Sequence, residues 1–363
     1  MNSTYIRKLA EEMTRAGFDA MMIAPGEELA FLLGVSPMLC ERFQGFFVKA
    51  DGSMFYICNL LYAEELGAVL PREVPVYPWF DGENMTEIVS RVLSLNGLTD
   101  AVIGVDQTAR AFNILEIMEK VPVTFKNGKA LLEEIRIRKT PEELEALRDS
   151  AKIVDQVFED VLPLIKPGVT EREIGQFLLK RMKELGGSSP ECIAAFGANA
   201  SFPHYSSDTA VLKEKDIVLM DYGCTLRGMY SDMTRTVFVG EPTEKEREIY
   251  DLVLRANLEA EAQVCKGAWI PDIDRTARDV LDEKGYAHTL ISRLGHGIGY
   301  TIHEAPEIRQ SNERSLESGM AFSIEPGIYI PGEIGVRIED IVIINEEGKR
   351  EVLNHADKKL IVL

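Results

Sequence analysis

The chain lacks the features of an exported or membrane-bound protein. It contains no run of about 18 consecutive apolar residues, the length that a membrane-spanning helix requires. Its first segment reads as an amphipathic helix with Ile6, Leu9 and Met13 on one face, and it has no unbroken apolar centre of the kind found in signal peptides. We therefore expect a cytoplasmic protein with no membrane partner.

Cysteine and clustered positive charge are also scarce. The five cysteines are an odd number without CxxC spacing, which indicates reduced thiols rather than a disulfide framework. The formal net charge is −19, and the lysines and arginines are scattered along the chain. Because phosphate binding needs clustered Lys and Arg, this composition argues against nucleic acid as a partner. The length of 363 residues suits two domains of ordinary size.

Two aspartates lie in a stretch that we interpret as a β-hairpin, IVLMDYGCTLRGMYSDMTRTVFV, with its turn at Thr225–Gly228. Asp221 and Asp232 are symmetric about the midpoint of Leu226 and Arg227, so the simplest register places them opposite each other. Opposed like charges among apolar residues are destabilising unless a cation, usually a divalent one, cancels them. The alternative is a solvent-exposed hairpin with two surface acids.

A second hairpin repeats the arrangement in FSIEPGIYIPGEIGVRIEDIVII, where Glu325 and Glu339 are symmetric about Gly332. Only five histidines occur in the chain, and three of them, at positions 204, 296 and 303, fall near these hairpins. Glycines flank His296 and would allow the backbone to approach a site closely. Four carboxylates and one imidazole would suit two divalent ions about 3.5–4 Å apart. A lone histidine is more often structural, and for His204 that alternative stays open.

Five segments in this order resemble the metallopeptidase family of methionine aminopeptidase, aminopeptidase P and prolidase: MDYG, YSDMTRT, GHGIGYTIHE, FSIEPGIY and GVRIED. The resemblance spans roughly residues 140–363 and implies the metal ligands Asp221, Asp232, His296, Glu325 and Glu339. It implies that Asp232 and Glu339 bridge two metals, that Asp221 serves one ion, and that His296 and Glu325 serve the other.

The pattern of elements divides the chain into three parts. Residues 1–128 alternate strands and helices and predict a smaller N-terminal α/β domain, residues 129–139 predict a linker, and residues 140–363 predict the catalytic domain. In the last part, Thr140, Thr170 and Thr243 each begin a helix and have a glutamate three residues later, the capping-box pattern. Two helices followed by a carboxylate hairpin occur twice. The expected fold class is α+β, with the C-terminal pita-bread (creatinase/aminopeptidase) fold that the resemblance implies.

The resemblance also assigns roles to other polar residues. His204 in FPHY and His303 in TIHE are similar to the family's histidines that contact substrate or the tetrahedral intermediate. Arg337 shares a strand face with Glu339, where it could orient the carboxylate or anchor substrate; the alternative is an ion pair that touches neither metal nor substrate. We expect two divalent ions to supply a bridging hydroxide, with Glu325 as general base. Oxygen-rich ligation favours Mn²⁺ or Co²⁺, with Zn²⁺ and Fe²⁺ as alternatives.

The extra N-terminal domain points to one branch of the family, because methionine aminopeptidases resemble only the C-terminal half. We predict an Xaa-Pro dipeptidase (prolidase) that acts on small peptides with proline in the second position, as a homodimer. The alternative is an Xaa-Pro aminopeptidase (aminopeptidase P) acting on longer peptides. Members of this branch often carry a histidine four residues before the GHG histidine, where this chain has Ser292. A third alternative is a non-catalytic binding module, but such domains lose ligands and this chain keeps all five.

Overall fold

A computed structural model of the chain describes residues Met1–Leu363 and divides into two units, Met1–Arg136 and Ile137–Leu363. The segment predicted as a linker, residues 129–139, includes the helix Lys129–Arg136, which belongs to the first unit. None of the helices is both long enough and apolar enough to cross a membrane.

The first unit is a mixed sheet with helices. Its elements in chain order are α1 (Ser3–Ala16), β1 (Ala20–Ile23), α2 (Glu27–Leu33), β2 (Gly45–Lys49), β3 (Met54–Asn59), α3 (Leu60–Val69), β4 (Val76–Trp79), α4 (Met85–Leu95), β5 (Val102–Val105), α5 (Ala111–Lys120), β6 (Thr124–Asn127) and α6 (Lys129–Arg136).

The sheet of the first unit has the strand order β4-β3-β2-β1-β5-β6. Strands β1, β2 and β3 pair antiparallel, and β4, β5 and β6 add in parallel. The β2–β3 hairpin turns at Asp51-Gly52, and the Asp51 carboxylate accepts from the backbone N–H of Ser53 at 2.9 Å. Ile6, Leu9 and Met13 of α1 are buried, which confirms the predicted amphipathic helix.

The second unit contains helix pairs and antiparallel sheets. Its elements are α7 (Pro141–Val161), α8 (Glu171–Glu184), β7 (Ser188–Phe196), β8 (Asp216–Leu226), β9 (Met229–Tyr230), β10 (Met233–Val239), α9 (Glu244–Gln263), α10 (Ile270–Asp282), β11 (Gly295–Gly297), β12 (Glu304–Ile308), β13 (Ala321–Ile324), β14 (Gly327–Ile330), β15 (Ile334–Arg337), β16 (Asp340–Ile344) and β17 (Arg350–Val352). Short 3₁₀ helices span Leu162–Leu164, Gly197–Ser201 and Ala287–Thr289.

Capping boxes start three of these helices, as the sequence predicts. The side chains of Thr140, Thr170 and Thr243 each accept from the backbone N–H three residues later, and the glutamate there accepts from the backbone N–H of the threonine. These bonds satisfy helix N–H groups that have no partner within the helix. Each box therefore fixes where its helix begins.

Each half of the second unit places a helix pair over a sheet. Helices α7 and α8 pack on the sheet β10-β8-β7, and α9 and α10 pack against the sheet β12-β11-β13-β16-β17 and the β14–β15 pair. Residues along β8 point alternately into two hydrophobic cores. Met220 packs in the core that includes α7 and α8, and Leu219 packs in the core that includes α9 and α10. Because strand residues two apart share a face, Asp221 lies on the face of Leu219, towards the second half.

Candidate metal centre

The first acidic hairpin has a different register from the predicted one. Asp221 pairs with Thr234 rather than Asp232, because the turn consists of Arg227 and Gly228, with φ of 51° and 80°. A two-residue turn with both φ values positive matches the twist of the strands, but its first position is usually Asn, Asp or Gly. The prediction of directly opposed aspartates was therefore wrong by two residues. Asp221 and Asp232 lie diagonally on the same face instead.

The second acidic hairpin has the predicted register. Gly327 pairs with Arg337 in one sheet and Ile324 pairs with Asp340 in the next, so that Gly332 is the centre of both ladders. Glu325 and Glu339 lie between these two ladders. Their backbone N–H groups donate instead to the carbonyl oxygens of Leu294 and Thr234. Both glutamates are thus positioned where the strands change sheets.

Three carboxylates converge on one nitrogen of His296. Its Nε2 lies 3.3 Å from Oε1 of Glu325, 3.7 Å from Oδ2 of Asp232 and 3.9 Å from Oε1 of Glu339. The Nδ1 atom lies 3.1 Å from the carbonyl oxygen of Gly297. Since a carbonyl oxygen can only accept, Nδ1 carries the proton and Nε2 presents its lone pair to the carboxylates.

Burial makes this group a poor place for charges without a cation. Burial, with the charge of Arg293 adding to it, lowers the pKa of His296 to about 4, so the ring is neutral near pH 7. Burial and neighbouring carboxylates raise the pKa values of Asp232 and Glu339 well above their usual range. Ligand atoms of Asp232, His296 and Glu339 lie within 4.8 Å of one another, and Oε1 of Glu339 is buried without a hydrogen-bond partner. These residues fit a divalent cation.

Asp221 faces a buried arginine. Arg337 is 3% exposed, and its Nη2 lies 2.5 Å from Oδ2 of Asp221. Its Nε donates to the hydroxyl of Thr234 at 2.9 Å, and that hydroxyl donates to Oε2 of Glu339 at 2.7 Å. Its Nη1 donates to Tyr329 Oη at 2.9 Å and to the carbonyl oxygen of Pro203 at 3.3 Å. All three nitrogens of the guanidinium are therefore engaged, and Arg337 links Asp221 to Glu339 through Thr234.

All eight residues singled out in the sequence line one cavity of about 1140 Å³. The rings of His296 and His303 meet edge to face with centroids 4.3 Å apart. Burial, followed by the effect of His296, lowers the pKa of His303 to about 4. His204 lies on an exposed loop of the cavity wall.

The sequence patterns did not identify two residues that support the ligands. Ser323 Oγ accepts from the backbone N–H of His296 at 3.0 Å and donates to Oε1 of Glu325 at 3.1 Å. Thr234 connects Glu339 with Arg337, as described above. Ser323 precedes Glu325 by two residues, and Thr234 follows Asp232 by two. The strand period of two could have found both, because it places them on the same faces as the carboxylates.

Three further arginines line the cavity. All three guanidinium nitrogens of Arg278 make hydrogen bonds, because it binds Asp274 and donates to the carbonyl oxygens of Leu290 and Ser292. Arg293 donates only through Nη1, to Oε1 of Glu307 at 3.0 Å. Arg309 lies with Nη2 2.7 Å from Oε2 of the same glutamate. Arg293 and Arg309 thus keep donors available on the cavity wall.

The two units match two family models. The model of metallopeptidase family M24 matches residues 145–346, and the model of the creatinase/prolidase N-terminal domain matches residues 6–138.

Relatives resemble the chain over its whole length. An uncharacterized peptidase of Staphylococcus aureus (strain MSSA476) is 32% identical over 98% of this chain and 100% of its own. A prolidase from Thermococcus sibiricus is 32% identical with a TM-score of 0.90, covering 99% of this chain and 98% of that one. An Xaa-Pro dipeptidase from Bacillus anthracis is 31% identical with a TM-score of 0.85, covering 99% of both chains. The predicted α+β fold with a pita-bread C-terminal part and a creatinase-like N-terminal part is therefore confirmed.

Proposed function

Since the chain belongs to metallopeptidase family M24, we propose that it is an Xaa-Pro dipeptidase, which hydrolyses dipeptides with proline in the second position. Family membership makes the chain a metallopeptidase, and the proposal concerns its substrate and the residues that act on it. The observation that supports a dipeptide as the substrate is the cationic Arg293, which has free N–H donors beside the candidate centre.

The proposed metal ligands are Asp221, Asp232, His296, Glu325 and Glu339, with Asp232 and Glu339 shared between two ions. The orphaned Oε1 of Glu339 and the lone pair of His296 Nε2 support this assignment. An oxygen-rich set favours Mn²⁺ or Co²⁺, with Zn²⁺ or Fe²⁺ as alternatives. When bound, two such ions lower the pKa of a shared water and polarise the scissile carbonyl.

Glu325 is the residue proposed to move the proton. Burial raises its pKa, and Ser323 donates to its Oε1, so the carboxylate is held in one orientation while it accepts a proton and later returns it to the leaving nitrogen. His303 is neutral at pH 7, because its pKa is lowered to about 4, and it can donate one N–H to a developing oxyanion. We assign the same role to His204. Arg337 positions Asp221 and does not bind substrate, since its donors are engaged.

Arg293 is proposed to bind the free carboxylate of the dipeptide. The charge of Arg293 contributes to the lowered pKa values of His296 and His303 and opposes the raised pKa of Glu325, so its charge acts on the proposed reacting centre. Its side chain is 29% exposed, and that of Arg309 is 52% exposed. Arg293 therefore lies deeper in the cavity and closer to where the second residue of a dipeptide would end. Guanidinium and carboxylate bind each other in charge-assisted hydrogen bonds.

Proline itself offers no N–H at the scissile nitrogen. Selectivity must then come from the fit of the ring, and the cavity wall includes the apolar side chains of Ile193, Ile291 and Ile302. A second candidate function is that of an Xaa-Pro aminopeptidase. The cavity of about 1140 Å³ favours it, because this volume exceeds the usual range of small-ligand sites and leaves room for a longer peptide.

A substrate panel separates the two candidates. Met-Pro, its C-terminal amide and the tripeptide Met-Pro-Ala would be assayed with added Mn²⁺. We expect the dipeptide to have the highest kcat/KM. Faster turnover of the tripeptide would assign the chain as an aminopeptidase P.

The role of Arg293 is tested in the same assay. The Arg293→Gln variant should raise KM for Met-Pro by about 10- to 100-fold, the worth of a charged hydrogen bond, and change the amide little. Arg309→Gln is the matched control and should have the smaller effect. An equal rise in KM for the dipeptide and for its amide would show that Arg293 does not bind the carboxylate.

A homodimer and a cytoplasmic location complete the proposal. All five cysteines are free thiols, which fits a reducing compartment. Leu60 and Leu61 are 58% and 70% exposed in the first unit, which fits a surface that a second subunit covers. Light scattering coupled to size exclusion would measure the oligomeric state.

A further inference from the structure

Glu171 is a buried carboxylate outside the candidate metal centre. It is the first residue of α8 and is 1% exposed. Four donors surround it. Its Oε1 accepts from the backbone N–H of Phe196 and from the amide of Asn199, both at 2.9 Å. Its Oε2 accepts from the backbone N–H of Ala210 at 2.9 Å and from the hydroxyl of Tyr205 at 3.1 Å.

These donors define one loop. Phe196 and Ala210 are the ends of the segment that carries His204, which we call the His204 loop (residues 196–210). The backbone N–H of Glu171 also donates to the carbonyl oxygen of Ala210 at 3.0 Å. One residue of α8 therefore closes the loop at both ends, and the side chains of Asn199 and Tyr205 attach its middle to the same carboxylate.

The other side of the His204 loop is bound to the second acidic hairpin. The guanidinium of Arg337 donates to the carbonyl oxygen of Pro203 at 3.3 Å, and the same guanidinium binds Asp221. The hydroxyl of Ser201 accepts from the backbone N–H of Gly332 at 3.2 Å. The loop is held between Glu171 and the residues that surround the candidate centre, so a shift at Glu171 changes where His204 lies relative to that centre.

We propose that Glu171 is a positioning residue that fixes His204 for catalysis. The inference rests on the proposed function, because the role of His204 does. Carboxylate is the group that the geometry requires. The N–H groups of Phe196 and Ala210 can only donate, and two oxygens on one rigid group can accept from both. Glutamine has one such oxygen, so in Glu171→Gln one of these two N–H groups loses its side-chain acceptor whichever way the amide points.

The test compares Glu171→Gln with Glu173→Gln. Glu173 lies two residues further along the same helix start, is exposed, and makes the capping box with Thr170. The control therefore receives the same chemical change without touching the His204 loop, and its glutamine oxygen can still accept from the backbone N–H of Thr170. We expect Glu171→Gln to lower kcat by about 10- to 100-fold, as a misplaced group near the reacting atoms does, with KM and bound metal changed little. Glu173→Gln should keep wild-type kcat.

A double-mutant cycle separates positioning from a general structural effect. If Glu171 acts through His204, Glu171→Gln should cause no further loss of kcat in a His204→Ala background. Losses that multiply in the double variant would overturn the proposal, as would wild-type kcat in Glu171→Gln. Any peptide that the wild-type protein hydrolyses serves for this cycle, so a wrong substrate class for the proposed function does not decide it.

Hydrogen exchange gives a readout that needs no activity. Amides of residues 196–210 should exchange faster in Glu171→Gln than in Glu173→Gln or the wild type. If Glu171→Gln does not fold, Tyr205→Phe removes one of the four donors and should produce the same pattern to a smaller extent. Unchanged exchange across the His204 loop in a folded variant would contradict the proposal.

Discussion

Lys139 and Glu304 form an ion pair that is almost completely buried, with 3% and 1% of their side chains exposed. Both belong to the second unit and lie 165 residues apart in sequence. Glu304 directly follows His303, so this pair also fixes the segment that carries His303. Gly299 lies against both side chains, where an added Cβ would come within 2.5 Å of Lys139 and 2.7 Å of Glu304. We predict that Lys139→Met strongly destabilises this unit.

The expected magnitude follows from burial. Removing one member of a buried pair leaves the other charge uncompensated and costs about 3–5 kcal/mol. The backbone N–H and the hydroxyl of Thr301 donate to Glu304, each at 3.3 Å. These long hydrogen bonds partly stabilise the carboxylate when Lys139 is removed, so the free energy of unfolding falls by less. We therefore expect a cost of about 3 kcal/mol, which corresponds to a fall in Tm of about 6–12 °C for a unit of this size.

The neighbouring cation provides the control. Arg138 pairs with Glu317 at 3.2 Å, but these side chains are 39% and 47% exposed. Solvent screens such a pair, so Arg138→Met should cost about 1 kcal/mol or less. The double variant Lys139→Met/Glu304→Gln should regain part of the loss, because it leaves no buried charge.

Tryptophan fluorescence can follow the second unit alone. The chain has two tryptophans, Trp79 in the first unit and Trp269 in the second. In a Trp79→Phe background, the emission of Trp269 would report thermal unfolding of the second unit. A Tm for Lys139→Met within the range of Arg138→Met would refute the reasoning.

Three further predictions concern the candidate metal centre. Asp232→Asn should lower Mn²⁺ occupancy and abolish most activity while the fold is kept; wild-type activity and stoichiometry would contradict the two-metal assignment. Thr234→Val removes the hydroxyl that binds Glu339 and Arg337, and should weaken Mn²⁺ binding about 10- to 100-fold in a metal titration. In chelated protein, burial raises the folded-state pKa values of Asp232 and Glu339, so they stabilise the fold while protonated and lose that contribution as pH rises through those values. Above pH 6.5 unfolded histidine no longer takes up protons, so the Tm of chelated protein should fall as the pH is raised further, and a flat or rising Tm would contradict this.

Local patterns predicted the parts of the fold that depend on sequence neighbours. The three capping boxes begin their helices where the threonines are, because each box is made within four residues. The register of Glu325 and Glu339 was predictable because Gly332, with φ of 74°, centres a turn whose ladder continues through both sheets. Residues at equal distances from Gly332 therefore pair with each other along both strands.

Other features depend on contacts that a local pattern does not contain. The turn of the first hairpin places Arg227 at a positive φ, which its residue type does not indicate, and the register moved by two residues as a result. The sequence placed Arg337 on the strand face of Glu339 and left open whether it orients that carboxylate, anchors substrate or forms a separate ion pair. Its direct ion-pair partner, Asp221, lies 116 residues away. For Glu171 the sequence indicated only a position at the start of a helix. Its four hydrogen-bond donors lie 25 to 39 residues further along the chain.

The candidate centre also explains why stability and metal binding should be coupled. The neutral His296 and the carboxylates around it are costly to bury together, and the same burial strengthens their attraction to a cation because water does not screen it. An ion that binds only the folded unit stabilises it by RT ln(1 + [ion]/Kd). Variants that weaken the ligands should then lose this stabilisation in Mn²⁺ and change little under chelation. Variants at Lys139 should lose stability in both conditions, because their pair lies outside the ligand set.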